Sequence, residues 1–127
     1  MFLSKLFKKE LTPIQTELLQ YGWVKDEKYN KVNKTNSNGF ADIKVRSGLI
    51  WIAFNYNKEL KEEYHDKVWD ELTKLVPSID NRFELGSLGF EYLEIITKEE
   101  NNITAYELNE IVDRYYEEIY KIIEPLL

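Results

Sequence analysis

The sequence predicts an α+β sandwich of order α-β-β-β-α-β-β-α, in which a roughly five-stranded, mostly antiparallel sheet packs with helices. Three observations carry that prediction. Thr12-Pro13-Ile14-Gln15 and Thr104-Ala105-Tyr106-Glu107 have the spacing of a capping box, where a Thr side chain and a Gln or Glu three residues on cap each other's backbone N–H groups at a helix start. Two strand-like runs, Phe40–Arg46 and Leu49–Tyr56, are joined by only Ser47-Gly48, which fits a two-residue hairpin turn. Between Lys58 and Val76, Leu60, Tyr64, Val68, Leu72 and Leu75 recur three or four residues apart, the repeat of one helix face.

Taken in order, Pro13 suits the first position of a first helix, Ile14, Leu18 and Tyr21 share its apolar stripe with Leu19 at the edge, and Gly22 can end it. Trp23 to Lys34 is mostly polar and reads as an edge strand near Lys28–Val32, followed by turn chemistry in Asn36-Ser37-Asn38-Gly39. A two-residue turn at Ser47-Gly48 sets residues whose numbers sum to 95 opposite one another. Val45/Ile50, Ile43/Ile52 and Ala41/Phe54 then make an apolar face, while Arg46/Leu49, Lys44/Trp51, Asp42/Ala53 and Phe40/Asn55 make a mixed one. Pro77 should stop the second helix, since proline cannot donate to the helix ladder. Arg82–Leu85 and Phe90–Thr97 form a second hairpin around Gly86-Ser87-Leu88-Gly89, and a last helix runs from Thr104 to Glu124, before Pro125, on a stripe of Leu108, Ile111, Val112, Tyr115, Ile119, Ile122 and Ile123. This order is broadly similar to that of small bacterial α+β proteins of the secretion-chaperone type. That resemblance implies an adaptor, working through an apolar groove.

With 127 residues, 43% of them apolar, the chain has the size and side-chain volume of one folded domain over residues 1–127. It contains no cysteine, so disulfides, thiol nucleophiles and thiolate metal sites are excluded together, and an intracellular, cytoplasmic home is expected. No run is long enough to span a bilayer, and Met1–Lys9, basic and apolar, reads as a first helical turn packed on the domain rather than as a signal peptide or membrane anchor.

Charge separates the halves: residues 1–57 carry nine Lys/Arg against five Asp/Glu, and residues 58–127 carry eight against eighteen. Charge distribution of this kind governs encounter with partners rather than fold. Glu62, Asp66 and Asp70 fall at successive i,i+4 positions on the second helix, and Glu110, Asp113, Glu117 and Glu124 share a side of the last. Partial neutralisation is available from Glu63–Lys67, Asp70–Lys74, Glu110–Arg114 and Glu117–Lys121. On the mixed hairpin face Trp51, opposite Lys44, is either a contact anchor, or is covered by a helix, or carries Lys44 and Arg46 on its ring as cation–π neighbours.

The function these features support is a small, non-enzymatic, acidic protein that masks a basic surface on a toxin or nucleic-acid-handling protein, as an immunity protein or an anti-CRISPR does. Its contacts would be Glu62, Asp66, Asp70, Glu110, Asp113, Glu117, Trp51 and Lys44, without cofactor, metal, membrane or direct nucleic-acid contact, and a homodimer is compatible. Two other classes stand beside it. Asp42-Ile43-Lys44 with Asp26 upstream resembles the Asp…Asp-x-Lys core of metal-dependent nucleases, in which Asp26 and Asp42 would hold Mg²⁺ and Lys44 would orient water. The other is the chaperone-like adaptor. His65, the only histidine, lacks the companions that a triad or metal site requires.

Overall fold

In the computed structural model, which describes residues 10–98 and 102–127, the chain runs α1 (Pro13–Leu18, continued by a 3-10 turn over Leu19–Tyr21), β1 (Val24–Lys25), β2 (Lys31–Asn36), β3 (Gly39–Arg46) and β4 (Leu49–Tyr56). It continues through a 3-10 turn at Glu62–Tyr64 to α2 (His65–Ile79), β5 (Phe83–Leu88), β6 (Tyr92–Thr97) and α3 (Ala105–Ile123), with a last 3-10 turn at Glu124–Leu126. The strands form one antiparallel sheet of order β1-β2-β3-β4-β6-β5. The segment Met1–Lys9, for which a packed helical turn was expected, lies outside the described residues.

The β3–β4 hairpin has the register its turn implies, from Gly39↔Tyr56 to Arg46↔Leu49. Ser47 and Gly48 both take positive φ, 54° and 77°, as a turn matching the strand twist demands. At the far end of the hairpin Gly39 admits no side chain, because a Cβ there would collide with the Asn55 carbonyl; the Tyr116 hydroxyl donates to that same carbonyl at 3.4 Å. Both capping boxes form, with Gln15 N and Glu107 N donating to the hydroxyls of Thr12 and Thr104.

Four boundaries differ from the sequence reading, each for an identifiable physical reason. The sheet has six strands rather than five, because Val24–Lys25 adds a short edge beside β2. β2 starts at Lys31 rather than near Lys28, since the Asp26 carboxylate accepts the N–H groups of Lys28 and Tyr29 at 2.8 and 3.0 Å and holds that stretch in a turn. β5 continues through Gly86-Ser87-Leu88 with a register shift between Leu85 and Ser87, so the turn falls later, at residues 89–91. The second helix proper opens at His65 and passes through Pro77 to Ile79. The Tyr115 hydroxyl braces that last turn, donating to Val76 O at 2.7 Å and Asp80 O at 3.2 Å.

One face of the sheet, built from Val32, Ala41, Ile43, Ile52, Phe54, Leu93 and Ile95, is buried in a continuous core with Val68, Leu72 and Val76 of α2 and Leu108, Val112, Tyr115 and Ile119 of α3. α3 packs against both α1 and α2. Gln15, fully buried, ties α1 down: its amide donates to Asn30 O and Ile43 O at 2.9 and 3.0 Å, while its Oε1 accepts from Thr12.

Candidate functional site

Sequence reasoning singled out eight contact residues, and the fold divides them between opposite faces. Glu62 in the 3-10 turn, Asp66 and Asp70 on α2, and Glu110, Asp113 and Glu117 on α3 are all exposed on the helix layer. Glu62–Ile79 and Ala105–Ile123 each carry five carboxylates against two Lys/Arg. Of the four i,i+4 pairs that the spacing offers, only Glu117–Lys121 closes among the described residues, at 3.9 Å and largely in water. Glu62, Asp66, Asp70, Glu110 and Asp113 therefore meet no cation within ion-pair distance among the described residues.

Tyr106 is a residue that sequence reasoning missed. It heads the same outward stripe of α3 as Glu110, Asp113 and Glu117, is 60% exposed, and meets the Tyr21 ring edge-on with centroids 6.2 Å apart. The spacing of four, seven and eleven residues from Tyr106 to the three acids was the available signal. Tyr21, assigned to the buried stripe of α1, instead stands at the surface, because the 3-10 turn at Leu19–Tyr21 rotates it off that stripe.

Lys44 and Trp51 lie on the other face, which no described helix covers. Register places three rows of side chains across it: Lys31–Lys44–Trp51–Ile96, Asn33–Asp42–Ala53–Glu94 and Thr35–Phe40–Asn55–Tyr92. Ala53, the shortest of them, sits at the centre of a depression of about 420 Å³ whose rim includes Asp42, Glu94, Trp51, Phe40 and Tyr92. Lys31 Nζ pairs with Asp42 Oδ2 at 3.3 Å, and Lys44 Nζ with Glu94 Oε2 at 3.4 Å. Lys44 Nζ also stands 5.5 Å from the Trp51 ring centroid, the cation–π option that the sequence left open, while Arg46 is exposed. Desolvation raises the Asp42 pKa above the ordinary aspartate range despite the opposing Lys31 charge. Sequence reasoning also missed Glu94 and Lys31, since only the β4–β6 and β2–β3 pairings bring them to Lys44 and Asp42.

The residues of the nuclease-like pattern are otherwise engaged. Two backbone N–H groups, those of Lys28 and Tyr29, lower the Asp26 pKa and hold its carboxylate in the turn. Asp42 and Lys44 are in separate ion pairs. Among the described residues no three His, Asp or Glu side chains are placed to hold a metal ion. His65 Nε2 donates to Leu60 O at 3.2 Å and its ring tilts against Phe90, a bracing contact between the start of α2 and the β5–β6 turn. No helix among the described residues is long and apolar enough to cross a membrane.

No family model matches this sequence, and no curated protein does. Among solved structures the chain resembles YbjN, a proposed transcription regulator from E. coli, at a TM-score of 0.52 and 11% identity, over 85% of this chain and 84% of that one. At that identity the likeness speaks for the shared α+β architecture alone.

Proposed function

We propose that this chain is a small, non-enzymatic protein-binding protein of the bacterial or phage cytoplasm. It docks the helix-layer acids on a basic surface of a toxin or of a nucleic-acid-handling protein and blocks it, as an immunity protein or an anti-CRISPR would. The observation that supports this reading is the contrast in charge pairing. Among the described residues, five of the six predicted acids are exposed without an ion pair, whereas Lys31 and Lys44 on the sheet are committed to Asp42 and Glu94. Unpaired exposed carboxylates act at a distance on a cationic partner, accelerating encounter by one to three orders of magnitude at low salt and much less at high salt. Tyr106 and Tyr21 supply the aromatic surface that a stable contact needs beside the charges.

The test is a crosslinking capture from bacterial extract with wild type and with an E110K/D113K/E117K variant. The expected result is a set of basic proteins captured by wild type, weakened by salt and lost in the variant, with unchanged circular dichroism. Equal capture by both, or capture indifferent to salt, discards the acidic face and favours an adaptor that works through apolar contact.

A further inference from the structure

The geometry points to a second binding site, in the depression over Ala53, for an arginine side chain of a partner peptide, with the guanidinium on Asp42 Oδ1 and the stem along the aromatic rim. The site lies on the sheet, opposite the acidic helices, and does not depend on the function proposed for them.

The structure already contains one cation held in the manner this site would use. Lys44 Nζ sits between the Glu94 carboxylate and the Trp51 ring, and Glu94 is itself oriented by Ser87, whose hydroxyl donates to Oε1 at 3.3 Å. That pairing of a carboxylate with an aromatic face is how proteins recognise ammonium and guanidinium groups. Beside this filled position is an incomplete one. Among the described residues Asp42 receives Lys31 on Oδ2 only, and no side chain or backbone donor reaches Oδ1. The Asp42 side chain is 15% exposed against 28% for Lys31, so the carboxylate is the deeper and more desolvated member of its pair. A carboxylate in that state has capacity for further donors, which a planar guanidinium supplies two at a time. Ala53 leaves the space: it is in register with Asp42 on one side and Glu94 on the other, and the resulting volume of about 420 Å³ lies beside Lys44 without displacing it. An anion is the poorer occupant, because each lysine it would seek is already paired and it would face both carboxylates.

The experiment is a titration of the ¹⁵N-labelled protein with acetyl-Gly-Arg-Gly-amide, following the backbone amide of Ala53 and the indole N–H of Trp51. Acetyl-Gly-citrulline-Gly-amide serves as the neutral isostere and acetyl-Gly-Glu-Gly-amide as the anion. The arginine peptide should give saturable shifts at both reporters that the other two do not. Loss of a charge-assisted contact in Asp42→Asn should weaken binding about tenfold or more. Ala53→Leu, which keeps every charge but fills the depression, should abolish the shifts while the remaining spectrum stays that of the folded wild type. The E110K/D113K/E117K variant should bind the peptide as wild type does, which separates failure here from failure of the acidic-face reading. Saturable shifts from the citrulline or glutamate peptide at equal concentration, an unaltered response in Ala53→Leu, or no response to arginine would each overturn the proposal.

Discussion

The two exposed faces of this molecule handle charge in opposite ways. On the open sheet face, side chains stand in fixed rows set by strand register, so Lys31 meets Asp42 on the adjacent strand and Lys44 meets Glu94 across the intervening β4. On the helix layer the acids repeat along α2 and α3 with too few cations in reach, and five of the six find no ion-pair partner among the described residues. Strands laid side by side supply partners, from the next strand or the one beyond it, that a solvent-facing helix stripe does not have. The contrast teaches that net charge of a segment does not locate a charged surface. Residues 1–57 carry a surplus of four positive charges, yet Lys5, Lys8 and Lys9 lie outside the described residues, and two of the remaining six Lys/Arg are paired on the sheet.

The comparison can be broken at β4, where adjacent residues face opposite ways. Ile52→Ala, on the core face, should cost about 2–5 kcal/mol in a urea denaturation, as truncation of a fully buried aliphatic does, whereas Ala53→Leu next to it should stay within about 0.5 kcal/mol of wild type. Similar losses at both positions would mean that the sheet face is covered after all. Gln15→Leu should cost about 1–3 kcal/mol in the same measurement, because Asn30 O and Ile43 O lose their shared donor where water has little access. A neutral result there would remove Gln15 as the tie between α1 and the sheet. Reversing Glu110, Asp113 and Glu117 to Lys should slow association with a captured basic partner about tenfold at low salt, with the melting temperature nearly unchanged. An unchanged rate would place the contact elsewhere.

The smallest effect is in pH dependence, where two aspartates should move in opposite directions. Hydrogen bonds from Arg82 hold the Asp80 pKa below its ordinary range, so the stability it contributes is present at neutral pH and is lost as pH falls through the carboxylate range. Asp80→Asn should accordingly be less stable than wild type near neutrality, and the deficit should shrink in acid. Asp42 has the reverse shift: its ionised form is disfavoured in the fold, and wild type gains stability as pH drops through its raised pKa. Asp42→Asn should then gain on wild type as pH rises. Parallel curves for the two variants would show that desolvation does not dominate at Asp42.

Much of the fold could be read locally because it is specified locally. Thr12 and Thr104 cap helices through residues three positions away, and the β3–β4 hairpin is closed by its own two turn residues. Two of the misreadings fall where distant groups intervene. Proline at position 77 would end an isolated helix, but Tyr115 arrives from α3 to brace the carbonyls of Val76 and Asp80. Gly86-Ser87-Leu88-Gly89 has the composition of a turn, yet β6 draws its first three residues into a bulged strand. Of the candidate site, the acids and the Lys44/Trp51 pair were legible, since helix periodicity and hairpin register place them directly. Glu94 and Lys31 were not, because nothing in the local sequence tells which strand will lie beside which.

By itself the sequence determined the three described helices, the β3–β4 hairpin with its register and the stripe of acids on α3, all of which depend on backbone geometry over a few neighbouring residues. Only the tertiary structure decided that the three described helices take the same side of the sheet, that β6 inserts between β4 and β5, and that no described helix covers the opposite side over Ala53. Those outcomes follow from burying one continuous apolar surface across the whole chain, a requirement that no short segment can express.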